Sequence, residues 1–426
     1  MDESGSMTQK KTLPKKKWQL GKIIGPGLIT GASDDDPSGI ATYSQAGAAF
    51  GLSSLWTAVL TYPLMAAMQE MCARIGLVTS HGLTGIIKRY YSPPFLWIIL
   101  LLSFPAIVLN IGADLAGMGA VANMLWPMIP AHYYSIIIGI TLTYLIVALP
   151  YRKIANILRW LCLTLLCYIA VPFLFKQEWM LILKNTFIPS LIMDKAYFAI
   201  IVGILGTTIS PYLFFFQASI EVEEVKQKKL VVDKHIIHSM QKDVRGGIFF
   251  SNLVFYFIIL TTGTVLFNAG MRDIQTVDQA ALALKPLAGR FSYILFALGV
   301  LGTGFLAVPV LAGSLSYMVS EAFGWKEGLN KKFHEAKGFY MVMIISILAA
   351  LLINLTGISP VRALILTAVV YGITAPVLIG IILHICNNKK IMGVNTNGTL
   401  SNVLGLLALL LMSLAASILI YLLLAT

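Results

Sequence analysis

Charge is what this sequence has least of. Only 12% of its 426 residues are Asp, Glu, Lys or Arg, while 58% are hydrophobic and the mean hydropathy is +0.81. A soluble domain carries roughly 25% charged residues, so the deficit excludes an ordinary water-soluble globule and points to a bilayer as solvent. Cysteine is scarce as well. Cys72, Cys162, Cys167 and Cys386 fall in or beside apolar stretches without zinc-type C-x-x-C spacing, and read as small buried hydrophobes. The six histidines are scattered, and no histidine–carboxylate pair, nucleophile elbow or phosphate loop lies in an apolar span, which argues against an enzyme. The net charge of +12 does not mark a nucleic-acid binder, because the lysines lie in short runs between apolar spans rather than on one basic domain. No cleavable signal peptide is expected: the polar stretch Met1 to Lys17 leads into a long, broken hydrophobic span rather than a short h-region.

What is present is a series of apolar runs, most near or above the ~20 residues that cross a hydrocarbon core. Eleven spans are predicted, near 22–48, 51–77, 95–125, 132–150, 155–175, 195–219, 246–268, 290–320, 338–357, 361–386 and 399–424. With the N-terminus in the cytoplasm, 24 of the 31 Lys and Arg fall inside, among them Lys10 to Lys17, Arg152, Arg159, Lys226 to Lys234, Lys331 and Lys389. Lys176, Lys184, Lys195, Arg272, Lys285, Arg290 and Arg362 fall outside. This obeys the positive-inside rule, supports an odd span count and puts the C-terminus outside.

Two spans are interrupted at membrane depth: span 1 over Gly31-Ala32-Ser33-Asp34-Asp35-Asp36-Pro37-Ser38-Gly39, and span 6 over Gly206-Thr207-Thr208-Ile209-Ser210-Pro211-Tyr212. Spans 1 and 6 begin two five-span sets that run in opposite directions, because five is odd. Broken helices at matching positions of inverted halves point to a mid-membrane binding site. The predicted organisation is therefore a cytoplasmic tail (1–21), a first repeat (22–175), an extracellular loop (176–194), a second repeat (195–386), and a loop with span 11 (387–426).

A carboxylate in the bilayer core is costly and reads as functional when a partner can be named. Asp36 precedes Pro37, which disfavours helix at that position, and the carbonyls freed by unwinding must face a cavity or a ligand. One carboxylate with exposed carbonyls suits a hard cation; the alternative is that Asp36 only caps the next half-helix. Asp34 and Asp35 point away from Asp36 on a helix, towards either the cavity or a polar neighbour. Thr207 and Ser210 share a helical face and could complete an oxygen-rich shell, or simply pack. In span 3, Asn110 and Asp114 share a face, and Asp114 is either part of the transport path or paired with a base near span 9. Glu70 is expected to pair with Arg74 at i, i+4, and Glu221, Glu223 and Glu224 to form a solvated charged face.

At these residues the chain resembles the Nramp (natural-resistance-associated macrophage protein) divalent metal transporters, over almost its whole length. Gly25-Pro26-Gly27, Asp36-Pro37-Ser38-Gly39 and Gln45-Ala46-Gly47-Ala48 resemble the family's G-P-G, D-P-G-N and Q-A-G-A. Further matches are Gln69, Ala73 to Thr79, Asp114-Leu115-Ala116, Leu311-Ala312-Gly313 and Asn388 to Gly393. The resemblance implies an all-α LeuT-type 5+5 inverted repeat with eleven transmembrane helices, helices 1 and 6 broken, and metal bound between them. It implies metal contacts at Asp36, Gly39, Thr207 and Ser210, with Asp34, Asp35, Asp114 and Tyr212 as possible accessories.

Against the family pattern, Gly39 stands where an asparagine is usual, Ser210 for methionine, Tyr212 for histidine, Gly117 for an acid, and Ala368 for glutamine. Loss of the soft thioether leaves oxygen donors that suit magnesium, which keeps several waters and needs a roomier site. The pattern is similar to the Nramp-related magnesium transporter branch. The expectation is an uncoupled transporter of Mg²⁺, with Mn²⁺ also able to bind, in a prokaryotic plasma membrane. Its partners are the metal ion as substrate and the lipid bilayer, with no cofactor and no nucleic acid; the sequence sets no oligomeric state. The competing expectations are a proton-coupled Mn²⁺/Fe²⁺ symporter and, more distantly, an amino-acid carrier, whose carboxylate substrate three consecutive aspartates would repel.

Overall fold

A computed structural model describes residues 26–149, 163–174, 176–353 and 357–424. Among these there is no β-strand. Span 1 forms α1 (Pro26–Asp34) and α2 (Pro37–Phe50), and span 2 forms α3 (Trp56–Thr79), followed by a short amphipathic α4 (Leu83–Tyr90). Spans 3 and 4 are α5 (Pro93–Leu125) and α6 (Ala131–Ala148), and the loop before span 6 carries α7 (Trp179–Phe187). Span 6 is split into α8 (Lys195–Thr208) and α9 (Pro211–Lys228). Spans 7 to 11 are α10 (Lys234–Val265), α11 (Ser292–Phe323), α12 (Lys337–Ile353), α13 (Pro360–Asn387) and α14 (Thr399–Leu424). The second half of span 5 is a run of short helical turns from Leu163 to Leu174. Its first half, with Arg152, Lys153, Arg159 and Cys162, lies outside the described residues, as do the basic N-terminal tail and Gly25.

Among the described residues, seven helical stretches are long and apolar enough to cross a membrane: α5, α6, α8 with α9, α10, the stretch ending in α11, α13 and α14. Helices dominate because each satisfies its own backbone hydrogen bonds where no water is present to do so. Burial sorts centre from rim. The apolar window of α8–α9 is 94% buried within the protein and that of α14 only 33%. On the rim, Leu101, Tyr144, Leu352 and Leu410 stand exposed, as side chains facing acyl chains should. In the middle, α2 packs on α10 and α9 packs on α3, the pairing that two inverted halves require.

Two expectations change. Span 7 begins at Lys234, three turns before the predicted start, because the Asp233 side chain accepts from the Ile236 amide at 2.8 Å and starts a polar helical stretch that hydropathy does not register. The two interruptions are also narrower than the sequence suggests. α1 runs through Asp34 and α8 through Thr208, so only Asp35–Asp36 and Ile209–Ser210 leave helical geometry. A proline restricts chiefly the residue before it and removes one donor, so each span breaks for two residues rather than the nine of span 1 and seven of span 6 that the sequence marks.

Candidate metal site

The two breaks face each other. Pro37 opens α2, and Asp36 takes an extended conformation (φ −68°, ψ 169°) as its N-cap. One carboxylate oxygen of Asp36 accepts from the Gly39 amide at 2.7 Å and from the Ser38 hydroxyl at 2.7 Å. The other accepts from the Asn110 side-chain amide of α5 at 3.0 Å. Asn110 in turn accepts from the Thr367 hydroxyl of α13 at 3.0 Å. Asp36 is therefore a helix cap, but one whose second oxygen is steered across to span 3 and, through it, to span 10. It is 1% exposed, and among the described residues no Lys or Arg is one of its electrostatic neighbours.

Gly39 supplies the closest meeting of the breaks. A Cβ there would lie 3.3 Å from the Thr207 hydroxyl of α8 and 3.4 Å from the Asp34 carbonyl oxygen. Thr207 thus stands one side-chain width from the α2 end of span 1, with oxygen on both sides of the gap. Ser210 caps α9 from the other break, and its hydroxyl donates to the Thr207 carbonyl. Tyr212, one turn further on, donates from its hydroxyl to the Ser33 carbonyl at 3.1 Å, while its own carbonyl accepts from Ser314 of α11 at 3.0 Å. The carbonyls released by the breaks are therefore met by side-chain hydroxyls, that of Thr207 from within its own break and that of Ser33 from the opposite repeat, as a low-dielectric interior demands.

The other acids separate by direction. Asp34 and Asp35 turn to α10, where the Ser251 hydroxyl lies 2.9 Å from Asp34 and 3.1 Å from Asp35. Asp114 is completely buried and faces the Ser38 amide too loosely for a well-formed hydrogen bond. No basic side chain from span 9 or elsewhere among the described residues pairs with it, so of the two alternatives the ion pair is not found there. Among the described residues no three His, Cys, Asp or Glu side chains converge as a chelating group. The arrangement offers single carboxylates surrounded by hydroxyls, amides and carbonyls, a hard-donor set without sulfur. Gly117 lines a cavity of about 20 Å³ beside Pro37, Ser44 and Leu364, and a Cβ at that position would lie 3.0 Å from the Leu364 side chain.

A family model described as natural resistance-associated macrophage protein-like matches residues 27–422. The chain belongs to the Nramp family. Its similar relatives include two proteins named divalent metal cation transporter MntH. The one from Caldanaerobacter subterraneus is 25% identical over 94% of this chain and 93% of its own. The one from Clostridium acetobutylicum is 25% identical over 94% and 91%. Among solved structures, a histidine-to-alanine mutant of the Eremococcus coleocola manganese transporter superposes with a TM-score of 0.74 at 17% identity, covering 95% of this chain and 87% of that one. The nucleobase-cation-symport-1 family transporter Mhp1, in a closed conformation, superposes with a TM-score of 0.57 at 13% identity over 93% and 92%. The fold of this Nramp-family chain is thus the LeuT-type inverted repeat, with helices 1 and 6 broken.

Two functional groups were hidden from sequence reasoning. Asn110 was read only as a face-mate of Asp114, yet it holds Asp36. Thr367 was passed over for its neighbour Ala368. The available signal was a polar residue one helical turn from a family position for Asn110, before Asp114, and adjacent to one for Thr367, before Ala368. Other side-chain readings are corrected. Glu70 pairs with Arg245 of α10, the Nη2 contact being 3.2 Å, while Arg74 donates to Asn397. A helical i, i+4 spacing permits a pair but does not outcompete a partner on a packed neighbour.

The Glu221–Glu224 stretch is not a solvated face. Glu221 is 3% exposed and accepts from Gln217 at 2.9 Å. Glu223 accepts from the Tyr317 hydroxyl, the Leu329 amide at 2.6 Å and Asn330 at 2.7 Å. Glu223, Tyr317 and Asn330 border a cavity of about 450 Å³ also lined by Lys226, Lys331 and Glu327. Burial pushes the Glu327 carboxyl up to about 8; Glu321 and Glu223 add to the rise, and Lys226 and Lys331 oppose it.

Proposed function

We propose that this protein is an integral-membrane carrier of divalent metal cations, with Mg²⁺ as cargo, Mn²⁺ also able to bind, and no coupled proton. The observation that carries the reading is Asp36. It is a buried carboxylate without a basic partner, held by Gly39, Ser38 and Asn110 at the point where two broken helices meet. An ionised group in that position needs a compensating charge, and a cation supplies it.

Mg²⁺ is favoured by the donors. Ser210 stands at the position where the family resemblance places a thioether, and Gly39 at that of an asparagine, so oxygen replaces sulfur and side-chain volume is removed. A small ion that dehydrates reluctantly is best met by few direct ligands and several waters. Absence of proton coupling is supported by Tyr212, which engages the Ser33 carbonyl and does not titrate near neutral pH as histidine does. Inward movement would then be driven by the membrane potential, about 4.6 kcal/mol per 100 mV for a divalent ion. The basic loops favour a cytoplasmic N-terminus and an extracytoplasmic C-terminus in a prokaryotic plasma membrane.

Uptake into proteoliposomes, with Mg²⁺, Mn²⁺, Ca²⁺ and Cd²⁺ compared and internal pH followed by dye, tests the whole proposal. Saturable Mg²⁺ uptake without acidification is expected. Absent Mg²⁺ flux together with strong Cd²⁺ uptake and acidification would point instead to the proton-coupled Mn²⁺/Fe²⁺ activity.

A further inference from the structure

Three consecutive aspartates stand at the first break, Asp34 as the last residue of α1 and Asp35 and Asp36 in the break itself, and the cargo reading uses only one. Asp36 is directed towards α5, whereas Asp34 and Asp35 are both directed towards α10 and Ser251. Asp34 is 1% exposed and Asp35 5%, and no Lys or Arg is an electrostatic neighbour of either. Two buried carboxylates side by side without a cation are strongly unfavourable.

Hydrogen-bond accounting sharpens the point. Ser251 has one hydroxyl hydrogen, so while both carboxyls are ionised it can satisfy Asp34 or Asp35 but not both. The remaining Asp34 oxygen is buried without any partner. A second, independent group faces the same place. Tyr43 of α2 is completely buried and its hydroxyl has no well-formed partner. Its ring lies on Phe255 with centroids 4.3 Å apart, and Phe255 is one turn from Ser251 on α10. Tyr43 is an electrostatic neighbour of Asp34, Asp35 and Asp36.

We infer that Asp34 and Asp35, with the Ser251 and Tyr43 hydroxyls, hold a second divalent cation between α1 and α10, separate from the one at Asp36. The donor set is all oxygen and includes two carboxylates, which suits a hard divalent ion. Charge balance agrees. Asp36 with Asp114, and Asp34 with Asp35, make two pairs of buried acids, each matched by one divalent ion. With Ser251 acting as a ligand through its oxygen, the double contact no longer asks one hydrogen to serve two acceptors.

The test counts ions on the full-length protein in detergent, by Mn²⁺ electron paramagnetic resonance and by calorimetric titration with MgCl₂. Wild type is expected to bind two equivalents, with spin–spin broadening appearing only at the second. Asp36→Ala should keep one, Asp34→Asn/Asp35→Asn should keep one, and Ser251→Ala should weaken one of the two by roughly tenfold. If wild type binds a single ion that Asp36→Ala removes and the double variant keeps, the second site is overturned and the cargo reading stands. If the single ion is lost in the double variant and kept in Asp36→Ala, the second site stands and the reading of Asp36 falls. Two equivalents persisting in the double variant overturn the assignment of ligands. Should the double variant fail to elute as a monodisperse peak, the wild-type count and Ser251→Ala, which leaves every charge in place, still decide.

Discussion

Asp36 does two jobs that a pair of substitutions can separate. Asp36→Asn keeps the side chain's shape and an oxygen for the Gly39 amide but deletes the charge; Asp36→Ala deletes both. Asparagine caps helices about as well as aspartate, so Asp36→Asn should hold stability to within about 1 kcal/mol. Asp36→Ala loses the cap, about 0.5–2 kcal/mol, and leaves the buried Gly39 amide and Asn110 side chain without their acceptor. Each such orphan costs about 1–3 kcal/mol, so a clear drop in thermal stability follows.

Metal affinity should fall in both variants. Two unit charges 4 Å apart attract by about 4 kcal/mol at an effective dielectric constant near 20, and a divalent ion doubles that to about 8. If desolvation offsets three quarters of it, about 2 kcal/mol remains, a roughly 30-fold rise in Kd. Calorimetric titration of MgCl₂ into purified protein measures the affinity, and thermal unfolding measures the stability. An Asp36→Asn variant that bound Mg²⁺ within about threefold of wild type would show that the residue is a cap and nothing more, and would refute the cargo site.

Ser210→Met restores a soft donor at the second break; Cd²⁺ and Mn²⁺ should gain on Mg²⁺ by about tenfold in competition binding, since thioether sulfur prefers transition metals. Gly31→Leu would place a Cβ 2.4 Å from the Gly247 carbonyl of α10. Helix must move off helix, and a stability loss of about 3 kcal/mol or more is expected by thermal unfolding or size-exclusion profile. The loop after α11 should weaken as pH rises. The Glu327 carboxyl sits at about 8 in the folded chain against an ordinary 4.5, so its contribution is fully present below pH 4.5 and lost as pH rises through about 8. Hydrogen exchange across 324–336 should accelerate from pH 6 to 9, after correction for the intrinsic rate, and Glu327→Gln should flatten that dependence.

The fold was legible because the bilayer constrains sequence so strongly. Apolar runs, the side bias of Lys and Arg, and two prolines preceded by polar residues at matching places are local signals, and an inverted repeat follows from them. Asp36 was legible for the same reason, since Pro37 and Gly39 announce a break around an acid that lipid would otherwise exclude. Direction was not legible. Whether Asp34 and Asp35 look towards α5 or α10, and whether Glu70 reaches Arg74 or Arg245, depends on which helix packs alongside, and i, i+4 spacing carries no information about that. Glu223 shows the same limit: a mixed run of Glu and Lys reads as solvated until α11 brings Tyr317, and the loop folding back after it brings Leu329 and Asn330, against it.

The selectivity and the absence of coupling proposed above would share one physical origin, in the second break. Ser210 and Tyr212 flank Pro211, and both spend their hydroxyl hydrogens on carbonyls that unwinding has released, Thr207 for one and Ser33 for the other. Methionine and histidine at these positions would instead present a polarisable sulfur and a ring that titrates near neutral pH. Hydroxyls at both positions leave neither a soft donor nor an imidazole there, and Tyr212 ties α9 to α1 through the Ser33 carbonyl. Under the proposal, a break built this way discriminates ions by hydration and size rather than by softness, and moves charge without exchanging a proton at Tyr212.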